Sequence, residues 1–246
     1  MRTRTIFITG TDTGVGKTLV TASLLHHLLE SGVNALAMKP FCSGSRADVR
    51  LLQAIQGSRL TDLEINPFFF AEPVAPLVGA SRLRRRIQLP EVLKKIRAVE
   101  RQCECLLIEG SGGLMVPLGE GYCVRDLIDQ LRCEVIVVAR NRLGTLNHTF
   151  LTVMALPARV KRGFKVALMD ESTLDRSART NRTILLRTLG RIDVFSFPFL
   201  GQNASRPVAI KNNAKKVKKV LAPLLGSAKV LKRSFERVRA GQQKKR

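Results

Sequence analysis

The chain has 246 residues, of which 45% are hydrophobic and 25% are charged, and this length and composition suit one large globular domain. No apolar stretch approaches the roughly 18–20 residues that cross a bilayer, and the N-terminus lacks the order of segments of a secretory signal. The five cysteines have no metal-site spacing and indicate reduced thiols. These features predict a cytoplasmic protein with no membrane partner.

The formal net charge is +23, and it is unevenly distributed. Residues 211–246 hold thirteen lysines and arginines against one acid, Glu236, so about half of the excess lies there. We therefore divide the chain into a folded domain over 1–210 and a basic extension over 211–246 that is helical or partly disordered, with one possible further helix over 230–238. Charge alone predicts non-specific contact between this extension and anions such as nucleic acid.

In chain order, apolar runs alternate with helical patterns. Short continuous apolar runs are typical of strands covered on both faces, and they predict strands over 5–9, 35–39, 105–109, 135–139, 165–169 and 193–197. Longer patterns predict helices over 16–31, 47–56, 89–101, 124–131, 145–156, 180–189 and 209–221. This alternation predicts an α/β fold with a single doubly wound, mostly parallel sheet whose ligands bind at the carboxyl ends of the strands.

A glycine-rich turn joins the first strand to the first helix, with the sequence Gly10-Thr-Asp-Thr-Gly-Val-Gly16-Lys17-Thr18. Backbone N–H groups at such a turn point at the positive end of the helix dipole and bind phosphate. Lys17 is placed to reach the β- and γ-phosphates, and the Thr18 hydroxyl to ligate Mg²⁺. Five residues separate Gly10 from Gly16, one more than in the strict phosphate-loop pattern. The alternative is an ordinary glycine-rich turn, but Gly-Lys-Thr after a strand favours nucleotide binding.

Two charged residues, Glu109 and Lys39, end other strands on the same edge of the predicted sheet, and a third, Asp48, lies at the start of a predicted helix. Glu109 ends a buried strand and, with Asp48, suits Mg²⁺, which takes one or two carboxylates plus phosphate oxygens and waters. Lys39 ends another strand, where it can stabilise anionic charge that develops during phosphoryl transfer. Each has a simpler alternative: a turn carboxylate for Glu109, a charge at a helix N-terminus for Asp48 and a solvated loop lysine for Lys39.

Taken together, the motifs resemble those of the dethiobiotin synthetase family, from about residue 4 to about 202. The matching motifs are the phosphate loop, Lys39-Pro-x-x-Ser43-Gly44, Asp48, Glu72-Pro73-x-x-Pro76, Glu109-Gly-Ser-Gly-Gly113 and Leu143-Gly-x-x-Asn147-His148. The five-residue spacing in the loop is the form that this family uses. The resemblance implies a phosphate-loop NTPase fold and a Mg²⁺- and ATP-dependent carboxylation and ring closure of 7,8-diaminopelargonate with CO₂, giving dethiobiotin in biotin synthesis.

The resemblance also implies roles for individual residues. Lys39 and Lys17 are the expected catalytic residues, and Thr18, Asp48 and Glu109 the expected Mg²⁺ ligands. The substrate contacts are Thr11, Ser43 and, from the second subunit of a homodimer, Asn147. The expected nucleotide contacts are Thr13, Gly14, Val15, Gly16, Lys17, Thr18, Leu19, Asp48, Glu109, Gly110, Ser111, Gly112, Pro198, Phe199 and Leu200.

One position departs from the family pattern. Where the family usually has an asparagine that reads the adenine edge, at the end of the fifth strand, this chain has Met169 or Asp170. A methionine cannot pair with a base, and an aspartate only accepts hydrogen bonds, which disfavours the acceptor groups of adenine. The sequence therefore leaves the base preference open.

Two other classes of protein share parts of the pattern. A phosphate-loop ATPase that acts as a nucleic-acid-associated partition or regulatory switch agrees with the +23 charge, but such ATPases usually carry a second lysine early in the loop, where this chain has Thr11 or Asp12. A related amidating ligase of corrinoid synthesis shares the loop but also carries a glutaminase domain, for which no residues remain. Lys39 and Ser43 favour the synthetase.

Overall fold

The computed structural model describes residues 3–161, 163–190 and 192–225. The strands within them are β1 (Arg4–Gly10), β2 (Ala35–Met38), β3 (Phe41–Ser43), β4 (Phe68–Phe70), β5 (Cys105–Glu109), β6 (Pro117–Gly119), β7 (Tyr122–Cys123), β8 (Glu134–Arg140), β9 (Lys165–Met169) and β10 (Asp193–Phe197). The helices are α1 (Lys17–Glu30), α2 (Ala47–Ile55), α3 (Asp62–Ile65), α4 (Pro76–Arg82), α5 (Leu89–Glu100), α6 (Val124–Leu131), α7 (Thr145–Ala155), α8 (Ala178–Leu189) and α9 (Pro207–Leu224).

Six strands form one central sheet in the order β10-β9-β8-β1-β5-β2. Every pairing in this sheet is parallel, as expected for strands joined by helical crossovers. Almost every residue of β1, β2, β5 and β9 is buried, because helices cover both faces of the sheet. The predicted α/β class, with a single doubly wound sheet, is confirmed.

Register at the edge of this sheet brings two predicted site residues together. Met38 of β2 lies opposite Ile108 of β5, and Ile8 of β1 lies opposite Glu109. The residues that follow Met38 and Ile108, which are Lys39 and Glu109, are therefore neighbours at the carboxyl ends of their strands. The phosphate loop follows β1, the strand next to β5, so all three segments meet at one edge.

The C-terminal helix α9 packs along α1 through an apolar stripe. Its buried residues are Ile210, Val217, Leu221 and Leu224, at the spacing of one helical face. The proposed boundary between residues 210 and 211 thus falls inside α9, and the chain up to Leu225 is part of the packed body. The division into domains stays a prediction, and the possible helix over 230–238 lies outside the described residues.

All six predicted strands and all seven predicted helices are present, four of them with the predicted ends and the others with ends that differ by at most three residues. The sequence analysis did not predict four short strands and two short helices. The missed strands form two small sheets, a parallel β3–β4 pair and an antiparallel β6–β7 pair. Across the described residues, no helix combines the length and the hydropathy needed to cross a bilayer.

Candidate active site

The phosphate loop connects β1 to α1 with two glycines in the left-handed region. Gly14 has a φ of 71° and Gly16, which caps α1, has a φ of 100°. An L side chain is strained at either position, and within the described residues no side-chain hydrogen bond caps the N-terminus of α1. The backbone N–H groups there remain available for an anion, as a phosphate site requires. Lys17 is buried, and its Nζ donates to the Asp12 carbonyl at 2.7 Å.

An ionic cluster lies beside the loop, with Lys39 and Glu109 buried and Asp48 half-buried at its edge. The Nζ of Lys39 donates to Glu109 Oε1 at 2.6 Å and also to Asp48 Oδ2. The Thr18 hydroxyl donates to the same Glu109 Oε1 at 2.7 Å. The structure therefore brings together both predicted Mg²⁺ carboxylates, the predicted hydroxyl ligand and the predicted catalytic lysine.

The two lysines of the site have opposite electrostatic environments. Burial lowers the pKa of Lys17 to about 8, because the charges of Glu109, Asp12 and Asp48 offset desolvation only in part and Lys39 repels it. Burial also acts to lower the pKa of Lys39, but the charges of Glu109 and Asp48, together with the hydrogen bonds that Lys39 donates to both, raise it above its ordinary value. Lys39 is therefore a fixed positive charge, as a stabiliser of developing negative charge must be.

The donor set suits a hard cation. Glu109 Oε2 is buried and has no hydrogen-bond partner among the described residues, which leaves a carboxylate oxygen unsatisfied in the interior. Asp48 is the second carboxylate and Thr18 supplies a hydroxyl, so the protein offers oxygen ligands only. Mg²⁺ commonly takes one or two carboxylates and completes its shell with phosphate oxygens and waters. These residues fit a Mg²⁺ ion that arrives with a nucleotide.

A cavity of about 580 Å³ opens over this cluster. The predicted site residues that line it are Thr13, Gly14, Gly16, Lys17, Thr18, Leu19, Lys39, Ser43, Asp48, Glu109, Ser111 and Gly112. The Ser43 hydroxyl is buried and has no hydrogen-bond partner in the described part of the chain. A polar ligand in the cavity would give this oxygen a partner.

Other predicted site residues lie outside the walls of this cavity: Val15, Gly110, Asn147 and residues 198–200. Thr11 and Val15 instead line a neighbouring cavity of about 120 Å³, beside Arg140, Leu143 and His148. Arg140 also donates to the Gly14 carbonyl at 3.0 Å, so β8 supports the phosphate loop from this side.

Several lining residues were not predicted as site residues. Pro73, Val74, Ala75 and Pro76 form one wall, and Cys42, Val116 and Ser205 complete the set. The spacing of Glu72-Pro73-x-x-Pro76 was a usable signal, since it belongs to the motifs quoted above. Ser205 gave no signal, because it enters the cavity only through the packing of the segment before α9.

An apolar surface lies on the exposed side of α7 and the turn before it. Leu143, Leu151 and Met154 are 81%, 59% and 72% exposed. Within α7, the exposed Asn147 is followed by Leu151 and Met154 at spacings of four and three residues, so these three share one face, and Leu143 lies in the turn that leads into the helix. Clusters of exposed apolar side chains are common at interaction surfaces.

The end of β9 meets the phosphate loop at the position that departs from the family pattern. A Cβ placed on Gly16 would lie 3.0 Å from Met169 Cε and 3.2 Å from its Cγ, so the Met169 side chain packs directly on the loop. The Asp170 carboxylate accepts from Asn141 Nδ2 at 2.7 Å. Met169, and not Asp170, therefore faces the loop.

Comparison with known proteins gives one consistent result. A family model described as an AAA domain matches residues 4–196. The ATP-dependent dethiobiotin synthetase BioD of Bacillus subtilis strain 168 is 38% identical over 197 residues, or 76% of this chain and 84% of that protein. The proteins of the same name from Bacillus licheniformis and Anaeromyxobacter sp. strain Fw109-5 are both 44% identical. The first alignment covers 59% of this chain and 64% of that protein, and the second covers 63% and 72%.

Solved structures share the fold at much lower identity. The chain matches the MinC:MinD cell division protein complex of Aquifex aeolicus at 14% identity and a TM-score of 0.57, covering 92% of this chain and 96% of that one. It matches a ParA family ATPase of Chlorobium tepidum TLS at 12% identity and a TM-score of 0.52, covering 87% and 98%. At this identity the matches confirm the phosphate-loop NTPase fold and do not favour the partition-switch alternative.

Proposed function

Since the chain belongs to the dethiobiotin synthetase family, we propose that it catalyses the ATP-dependent carboxylation and ring closure of 7,8-diaminopelargonate with CO₂. The observation that supports this most directly is the Lys39–Glu109–Asp48 cluster in one cavity with the phosphate loop. A phosphate loop alone serves any NTPase, whereas a buried lysine beside it, with the unpartnered Ser43 hydroxyl, provides a place for a second, anionic substrate.

The reaction proceeds in three steps. One amine of the substrate attacks CO₂ and loses a proton, forming a carbamate. A carbamate oxygen attacks the γ-phosphorus of ATP, and ADP leaves, giving a carbamic-phosphoric anhydride. The second amine attacks the carbonyl carbon and loses a proton, inorganic phosphate leaves, and the ureido ring closes. The carbamate and the transferred phosphoryl group are both anionic, so the site must supply fixed positive charge and hold the reactants in line.

The roles of the residues follow from this chemistry. Residues 13–19 hold the phosphates, with Lys17 as the mobile charge of the loop and Lys39 as the fixed charge that stabilises the carbamate and the transferred group. Ser43 and Thr11 contact the substrate. Thr18, Asp48 and Glu109 would hold a Mg²⁺ ion, which would neutralise phosphate charge when bound. We propose the cytoplasm as the location of the reaction, since ATP is available there and the five free cysteines would stay reduced.

A second copy of the chain is the partner that we propose for the exposed face of α7. The face is apolar at Leu143, Leu151 and Met154, and it carries Asn147 at its centre. Burying it in a symmetric homodimer would remove the apolar side chains from water and bring Asn147 to the neighbouring active site. There its amide would bind the carboxylate tail of the substrate.

A basic surface lies on the C-terminal helix α9. All five lysines of α9 are exposed, and none forms an ion pair within the described part of the chain. They precede the further basic residues of 226–246 in the sequence. We assign to this surface a non-specific attraction for polyanions such as nucleic acid, with no part in the synthetase reaction.

The decisive experiment is incubation of the full chain with 7,8-diaminopelargonate, bicarbonate, Mg²⁺ and ATP, followed by assay for dethiobiotin. The expected result is dethiobiotin and stoichiometric ADP and phosphate. The matched control is Lys39→Ala, which should form little product. Nucleotide hydrolysis without dethiobiotin, at any substrate concentration, would contradict the proposal.

A further inference from the structure

The topology of the sheet determines where the nucleoside end of a bound nucleotide must lie. In the order β10-β9-β8-β1-β5-β2, the phosphate loop follows β1, near the middle. Lys39 and Glu109 follow β2 and β5, which lie on one side of it. The phosphate that is transferred must face these residues, and the α- and β-phosphates lie at the N-terminus of α1. The sugar and base therefore extend to the other side, over the ends of β9 and β10.

The side chain that stands at this end of the site is apolar. Met169 ends β9, is 8% exposed, and packs with Cε, Cγ and Sδ against Gly16 of the phosphate loop. Leu19, in the first turn of α1, lines the main cavity nearby. Phe199, in the segment after β10, is 45% exposed and lies outside the walls of that cavity. A base that extended over this end of the site would meet a thioether, an aliphatic group and a ring, none of which distinguishes one base edge from another.

The polar groups at the ends of these strands are already engaged. The Asp170 carboxylate accepts from Asn141, and its backbone N–H donates to the Phe197 carbonyl at 2.9 Å. The Met169 carbonyl accepts from the Asn141 N–H at 2.8 Å. Asn141 is buried and is held in turn by Asn181 Nδ2, which donates to Asn141 Oδ1 at 3.1 Å. This network fixes the Asp170 carboxylate toward α8 and away from the loop.

The segment after β10 adds one hydroxyl to the cavity wall. Ser205 lines the cavity, whereas the amide side chains of Gln202 and Asn203 do not. A hydroxyl both donates and accepts, so it pairs with any base or with a ribose oxygen. The Ser205 hydroxyl can therefore contact a nucleotide without distinguishing one base from another.

We propose that Met169 makes the nucleotide site permissive, so that it takes purine and pyrimidine nucleoside triphosphates alike. The triphosphate and its metal are recognised by the phosphate loop, and the base is held by apolar contact rather than by hydrogen bonds to its edge. This inference deepens the proposed function, because it rests on the same cavity binding a nucleoside triphosphate as phosphoryl donor.

The test is calorimetric titration of the full chain with ATP, GTP, CTP and UTP, each with Mg²⁺ and without the second substrate. We expect the four dissociation constants to lie within about tenfold of one another, since discrimination beyond that needs at least one base-specific hydrogen bond. Met169→Gln keeps the length of the side chain but adds an amide, which pairs with N6 and N7 of adenine. This variant should shift the ratio of affinities toward ATP by about tenfold.

Two matched variants complete the design. Met169→Leu keeps the apolar contact and should leave all four ratios unchanged. Leu174→Asn introduces an amide at an exposed position of the loop after β9 and should also change nothing. Thermal unfolding of each variant verifies that it folds.

Wild-type protein that binds ATP about a hundredfold or more tightly than the other three nucleotides would overturn the inference. So would folded Met169→Gln protein with unaltered ratios. If no nucleotide binds, or if ATP binds and no dethiobiotin forms in the separate assay, the proposed function fails instead. Failure of the inference about the base and failure of the proposed function therefore give different experimental results.

Discussion

Lys39 and Glu109 are 70 positions apart in the chain, yet their Nζ and Oε1 atoms lie 2.6 Å apart in the interior. The register of β2 against β5 produces this contact, since each residue follows directly after a paired position. The Glu109 side chain is fully buried, and that of Lys39 nearly so. A charge in such a position depends on its partner for stability as well as for function.

Lys39→Ala should therefore have two effects. Turnover should fall by at least about a hundredfold, because one preorganised charge is lost from the transition state while the phosphate loop remains. The free energy of unfolding without ligand should fall by about 3 kcal/mol, because Glu109 is left buried without its cation. Steady-state kinetics and urea unfolding measure the two effects.

The control for Lys39→Ala is Lys94→Ala, which removes an exposed lysine from α5 and should change neither quantity. If Lys39→Ala is destabilised but retains near-normal turnover when saturated with substrates, the lysine has only a structural role.

Lys17→Ala should abolish detectable nucleotide binding without unfolding the protein. Lys17 Nζ donates to the Asp12 carbonyl, a contact that it must give up to reach a phosphate. Burial already lowers its pKa to about 8, so removing the amine relieves a desolvated charge and should cost little stability. Calorimetric titration with ATP and Mg²⁺ gives the affinity, and Lys161→Ala, at an exposed position, is the control. An unchanged affinity in Lys17→Ala would refute the phosphate-loop assignment.

The phosphate-binding role of the loop could be predicted from the sequence, because its residues form one continuous segment and the way in which such a segment binds phosphate is known. The same holds for Glu109 and Lys39, which end apolar runs that were read as strands, and parallel strands place their ends at one edge. The sequence did not indicate which residue the Asp48 carboxylate contacts, because a carboxylate in the first turn of a helix needs no side-chain partner. The contact with Lys39 depends on how α2 packs, and the sequence carries no signal for that.

The short strands were not predicted, for a different reason. The three residues of β3 or β4 and the two of β7 are too few for a periodic pattern, and tertiary contacts decide their conformation. Ser205 was missed for the same reason, since it reaches the cavity through the docking of α9 on α1. The directions of the Met169 and Asp170 side chains could not be predicted from the sequence either. Adjacent positions face opposite sides of a sheet, and only the structure shows which of the two side chains faces the phosphate loop.

Leu151→Glu should convert the proposed homodimer to a monomer. A carboxylate in the middle of the α7 face would have to be buried unpaired, at a cost that a modest interface cannot offset. Sedimentation equilibrium at several protein concentrations measures the association, and Leu63→Glu, an exposed leucine of α3, is the control. If Asn147 acts across the interface, the monomer should also lose affinity for 7,8-diaminopelargonate. A wild-type monomer at all concentrations would exclude this dimer.

The last prediction concerns the basic C-terminal region. Truncation after Leu225 removes eight lysines and arginines and the single acid Glu236, and it leaves the packed stripe of α9 intact. The shortened protein should keep its fold and its synthetase activity but bind duplex DNA more weakly, with a shallower dependence on salt, because each lost phosphate contact reduces the slope by about 0.9. Combining the truncation with Lys215→Gln, Lys218→Gln and Lys219→Gln in α9 should weaken DNA binding further, whereas Lys94→Gln and Lys95→Gln in α5 should not. Fluorescence anisotropy at several salt concentrations measures the binding. If the truncated protein stays folded but loses synthetase activity, the removed residues complete the active site or the dimer, and they are not an appendage.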